Sequence, residues 1–255
     1  MTSSSRLTAL LALTVLFTAP AISGAQQHAP IAEQIGKAYG VDSFGQVEAI
    51  RYTFNIPAFK LSRTWVWEPK TDTVSYEGTD KEGKPVKVTY KRDELSSQSD
   101  AVKNEIDPAF VNDHYILLFP LHVAWDNWAT VTDEGTQEMP ISKKSARRVV
   151  VKYPPQGGYS PGDTWELYVG KDHRLEEFVF KRAGAGAPKG YTGTWEGYEK
   201  ACPLLLSTDH EGTTDDGKSV RVFFSDVAVK VVGSDKWANA QSASEHLASG
   251  STARK

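Results

Sequence analysis

Two histidines and two carboxylates stand close together in one stretch of this chain, Asp113-His114 and His122 with Asp126, and that donor set is the first place to look for a metal. A helical ligand pair needs i, i+4 spacing on one face. His114 and His122 lie eight apart with Pro120 between them, and His173 and His210 fall near turns without supplying a second pair. The reading is therefore no metal and no cofactor. Nucleophilic hydrolysis needs a serine or cysteine beside a histidine with an orienting carboxylate, and the chain has no Gly-x-Ser-x-Gly elbow. Cys202, between Ala201 and Pro203, reads as a buried small hydrophobe. Glu176 and Glu177 alternate across a strand, so they cannot share a substrate. No catalytic residue is assigned, and a hydrolase survives only as a site assembled from residues distant in sequence.

Arg63 is a different kind of signal. In Leu61-Ser-Arg-Thr-Trp-Val-Trp67 the residues Leu61, Arg63, Trp65 and Trp67 share one strand face, which places a guanidinium among aromatics. Burying it costs several kcal/mol unless its donors are met by carbonyls, a carboxylate or an anionic ligand. The alternative is a rim position in water. The aromatic set Trp65, Trp67, Phe110, Tyr115, Phe119, Trp125 and Trp128 is equally two-sided, either plain core or the wall of a dry space.

The elements that must position these residues are one helix and many strands. Asp107 is suited to cap a helix, Pro108 fits its first position and Pro120 stops it at Phe119. Within 108–119, Val111, Tyr115 and Leu118 form one stripe, and Phe110, His114 and Leu117 the stripe beside it. That face is too wide for a surface helix. A second, short amphipathic helix is expected over 28–42, with Gly40 as its stop.

Elsewhere a two-residue period dominates. Ile50, Tyr52, Phe54 and Ile56 alternate with polar neighbours, and strands follow near 61–67, 74–77, 86–90, 128–133, 147–153, 164–169, 175–181, 191–198, 204–208 and 220–229. Roughly ten strands joined by tight turns, without alternating helices, exclude a parallel α/β sheet. The expected class is mainly β: an open antiparallel half-barrel whose concave face is covered by the short helix. Residues 183–190 should form a mobile loop, and 234–255 a flexible tail, frayed or weakly helical.

Three portions, Arg63-Thr-Trp-Val-Trp-Glu-Pro69, Asn112-Asp-His-Tyr-Ile-Leu-Leu-Phe-Pro-Leu121 and Tyr159-Ser-Pro-Gly-Asp-Thr-Trp-Glu-Leu-Tyr168, resemble a family of exported bacterial proteins. That family is similar in architecture to the outer-membrane lipoprotein carriers and lipoprotein-sorting proteins (LolA/LolB-like). The resemblance covers about residues 40–232 and implies a half-barrel wrapped around helices, with an apolar cavity for acyl chains. In the carriers an arginine on an early strand holds the lid helix closed, and Arg63 is the match by position. The carriers' partners are not implied.

Residues 1–25 have the layout of a secretory signal, with Arg6, an apolar run from Leu7 to Ala21 and Ser23-Gly-Ala25 as the cleavage site. The expected product is a soluble, periplasmic single domain over 26–233. With one cysteine it can form no internal disulfide, so burial alone must stabilise it. The formal net charge of -3 with interspersed signs excludes a nucleic-acid footprint. The expected function is non-catalytic binding or carriage of a hydrophobic small molecule or lipid by a monomer that makes transient membrane or envelope-protein contacts. Trp65, Trp67, Phe110, Tyr115, Leu118 and Phe119 would line the cavity, and Arg63 would act as latch or rim contact. The rival is an envelope interaction module with a solid interior.

Overall fold

The alternation at 47–56 produces β1 (Val47–Ile56), with Ile50, Tyr52 and Phe54 essentially buried. Hairpins then build outward through β2 (Leu61–Glu68), β3 (Thr73–Thr79) and β4 (Pro85–Lys91). After the helical segment the chain returns as β5 (Thr130–Glu138), β6 (Ser145–Lys152), β7 (Thr164–Val169), β8 (Leu175–Arg182), β9 (Lys189–Thr194), β10 (Glu196–Ala201), β11 (Leu204–Thr214) and β12 (Ser219–Val231). The long β12 pairs with β1, which joins the two runs into one antiparallel sheet in the order β4-β3-β2-β1-β12-β11-β9-β8-β7-β6-β5. The sheet is not closed: β4 and β5 are its free edges. This is the mainly β, open half-barrel architecture expected. The computed structural model describes residues 29–158, 160–184 and 189–243, so the expected signal segment lies outside the described residues.

Several boundaries differ from the sequence reading for physical reasons. The stretch 191–198 is two strands, broken at Trp195 and turned at Gly197, whose φ of 65° suits glycine. Residues 237–242, expected to fray, add β13 (Trp237–Asn239) to β12 and β14 (Gln241–Ser242) to β10. Of the loop expected over 183–190, residues 185–188 are outside the described residues and 189–190 already belong to β9.

Two helices fill the trough. The first, α1 (Pro30–Ala38), ends where Gly40 takes a φ of 93°, as expected. The second, α2 (Asp107–Trp125), overruns the expected stop at Phe119 by six residues, with Pro120 inside it. An interior proline costs about 3 kcal/mol, but Leu121, His122 and Val123 beyond it are all buried, and their burial outweighs that cost. Asp107 does not cap the helix. A π-helical turn over Val102–Ile106 leads into α2, and Asp107 is instead a buried acceptor for the Tyr90 hydroxyl at 3.1 Å and Arg92 Nε at 2.8 Å. The helices cross closely at Gly36, where a Cβ would fall 2.7 Å from that of Ala124. α2 is buried all round from Leu117 to Val123, while Pro108 and Asn112 stay exposed and Val111 and Ile116 half-buried along one side of its first half.

Candidate functional site

Arg63 and Asp113 define how α2 is held on one side. Asp113 is fully buried, and its Oδ1 accepts from Arg63 Nη2 at 2.7 Å while its Oδ2 accepts from Trp65 Nε1 at 2.9 Å. Asn112 adds a third donor at 3.1 Å. Burial, the largest influence, pushes the Asp113 carboxyl up to about 6, against the pull of Arg63 and these donors. The guanidinium therefore meets a carboxylate on the helix, one of the alternatives open for a buried arginine. It also borders an open hollow of about 480 Å³ shared with Leu61, Tyr76, Ile106 and Ala109.

A second buried carboxylate holds the far end of α2. Asp126 accepts from the hydroxyls of Tyr115 and Tyr153, the latter at 2.9 Å, and lies 3.2 Å from His122 Nδ1. The two tyrosines also touch at 2.8 Å, and burial raises the pKa of both. His114 is buried against Trp67, with ring centres 4.4 Å apart, and burial holds its pKa well below the usual range. Among the described residues no group of three or more His, Cys, Asp or Glu is arranged to hold a metal. Asp113 and Asp126 tether α2, and His114 packs among aromatic rings.

The sheet wall expected to face an open space is filled. Trp65 is fully buried, its ring centre 4.6 Å from that of Tyr76 and 5.5 Å from that of Phe110. Trp67 bonds Asp72 through its indole N–H at 3.1 Å. Leu118 is buried in the same core, and Phe119 stacks on Trp165 at 4.1 Å. Cys202, expected to be buried, is exposed in the turn between β10 and β11. Glu177 is buried and accepts the Ile141 and Ser142 N–H groups at 2.7 and 2.8 Å, whereas Glu176 faces solvent, so the two do point to opposite faces.

A second, more apolar space lies on the other side of α2. A cavity of about 270 Å³ separates Pro108, Val111, Asn112, Tyr115 and Ile116 of the helix from the wall made by β7, β8, β9, β11 and β12. That wall presents Trp165, Phe178, Phe180, Tyr191, His210 and Val222. Of the residues assigned from sequence, Tyr115 lines this cavity, while Arg63, Trp65, Trp67, Phe110, Leu118 and Phe119 do not. Gly193 makes room for the wall, since a Cβ there would lie 2.5 Å from the Tyr191 ring and 3.0 Å from Phe178. His210 is fully buried, and desolvation takes its pKa down to about 4, so it is neutral at ordinary pH. Its Nδ1 lies 3.2 Å from the Thr194 carbonyl. The alternating β8 residues were visible in the sequence as a strand face, but nothing local could pair them with α2.

No protein-family model matches the chain, and no curated protein matches it. Solved structures do. One is described as an outer membrane lipoprotein-sorting protein domain from Vibrio parahaemolyticus, at a TM-score of 0.44 and 11% identity, covering 81% of this chain and 93% of that one. Another is a DUF1329 family protein from Desulfovibrio piger, at 0.41 and 12%, covering 81% and 95%. A third is a LolA superfamily protein from Nitrosomonas europaea, at 0.42 and 11%, covering 78% and 93%.

Proposed function

We propose that this protein binds a hydrophobic molecule, a lipid or acylated species, without catalysing its conversion, and that the binding site is the cavity between α2 and the β7–β12 wall. One observation carries the reading: a largely aromatic and aliphatic hollow of about 270 Å³ persists beside a helix tethered on its opposite side, where the hollow next to Arg63 is lined largely by polar and charged residues. This sits just under the roughly 300–1,000 Å³ common for small-molecule sites. With a methylene taken at about the 30 Å³ share of a liquid water molecule, it holds roughly nine of them. At about 0.8 kcal/mol each, their burial contributes roughly 7 kcal/mol before ordering costs.

Arg63 and Asp113 act in this reading as the latch that keeps α2 seated while the cavity side stays free to admit a chain. Export to the periplasm belongs to the same proposal, supported by the basic, apolar and small-residue pattern of residues 1–25, and so does a monomeric state. Native mass spectrometry of protein purified from its exported compartment tests it. A single bound lipid, with uptake of a fluorescent fatty acid after delipidation, is expected. Repeated recovery of mass-clean protein that takes up none would favour an envelope interaction module instead, for which the filled Trp65 and Phe110 side already provides a solid core.

A further inference from the structure

The cavity has a direction. Along β8 its lining residues pass from buried Phe178 through half-buried Phe180 to exposed Arg182, and on the helix from buried Tyr115 to exposed Asn112 and Pro108. An apolar throat thus opens at a rim carrying a guanidinium. That guanidinium differs from the others near α2. Arg63 and Arg92 are committed to Asp113 and Asp107, and Arg148 to Glu134 and Glu166. Arg182 forms no ion pair with a described residue; its charge lies 5.9 Å from the centre of the Phe180 ring, which holds it over the mouth. Asp163 also borders the cavity, but it is buried and its Oδ1 accepts the Ala183 N–H at 2.8 Å.

We infer that the ligand is a single-chain amphiphile with an anionic head, whose tail fills the space along Phe180, Phe178, Tyr191 and Val222 and whose carboxylate, phosphate or sulfate pairs with Arg182. The inference rests on the cavity being the binding site. A planar guanidinium offers two parallel donors to such a head, and at this exposed rim the charge-assisted pair favours a charged over a neutral head severalfold. The cavity volume of about 270 Å³ suits one chain of roughly eight to ten carbons, with each group taken at about the 30 Å³ share of a liquid water molecule.

Titration calorimetry on the delipidated full chain with decanoate, decyl phosphate, decanol and inorganic phosphate tests this. Both charged amphiphiles should bind at one per chain and severalfold tighter than decanol. Arg182→Gln should erase that difference while decanol affinity stays unchanged, and Arg182→Lys should restore part of it. Equal affinity of decanoate and decanol, or a preference that survives Arg182→Gln, would overturn the anionic head at Arg182 but leave the cavity as the site. Tight binding of inorganic phosphate alone would overturn the amphiphile. Failure of all four probes would remove the cavity reading itself.

Discussion

Arg63 Nη2 on β2 stands 2.7 Å from Asp113 Oδ1 on α2, so two residues fifty positions apart in the chain tie the edge half of the sheet to its central helix. The carboxylate is fully buried and its other oxygen is held by Trp65. Such a pair is an anchor whose loss is felt, because removing either partner strands the other in a dry environment.

Arg63→Ala should therefore destabilise the protein by about 3 kcal/mol in urea unfolding. The Arg63→Ala/Asp113→Asn double variant should recover part of that loss, since no charge is then left unpaired. If the latch role is right, the single variant also releases a bound fluorescent fatty acid faster; an unchanged exchange rate would reject that role.

The same pair makes exchange depend on pH. Burial raises the Asp113 carboxyl to about 6, whereas swinging α2 into water would return it towards 3.8. The seated helix then binds more protons than the open one between those values, so the seated form gains stability as pH falls through about 6 and loses it as pH rises. Ligand release should be slower at pH 5 than at pH 7.5. Asp113→Asn should flatten that dependence, and a slope that persists in the variant would assign it to another group.

At the other end of α2, Tyr153→Phe removes one of the two hydroxyls on buried Asp126. A lost bond to a buried charged acceptor costs roughly 2 kcal/mol. Tyr115→Phe should cost a similar amount, and the double variant should show coupling, because the two hydroxyls share one oxygen and each other.

Much of this architecture was legible along the chain. The buried alternation at Ile50, Tyr52 and Phe54, the stop at Gly40 and the helix containing Tyr115 all follow from spacing and residue type. Local rules failed at Asp107 and Pro120, where tertiary burial overrode cap and stop preferences. The cavity wall was not legible. Trp165, Phe178, Tyr191, His210 and Val222 come from five strands, and only the register of β7 through β12 brings them opposite Val111 and Ile116. The helix stripes that carry Phe110, Tyr115 and Leu118 show which residues are buried but not which of them border a space, because Trp65 and Phe110 pack on each other while Tyr115 faces the wall.

The two sides of α2 should respond oppositely to volume changes. Ile116→Trp fills the cavity, so uptake of a fluorescent fatty acid should fall more than tenfold with thermal stability kept or raised by about 1 kcal/mol. Phe110→Ala, buried against Trp65 on the opposite side, should cost about 4 kcal/mol. Equal destabilisation by both would mean that the cavity side is as tightly packed as the other.

The most direct measurement is a crystal structure of the delipidated protein soaked with 10-bromodecanoate, located by the anomalous signal of its bromine. A single peak bounded by Phe178, Tyr191 and Val222 is the predicted result. Bromine found only on the outer surface, or no ordered peak at saturating ligand, would contradict a chain-binding cavity behind α2.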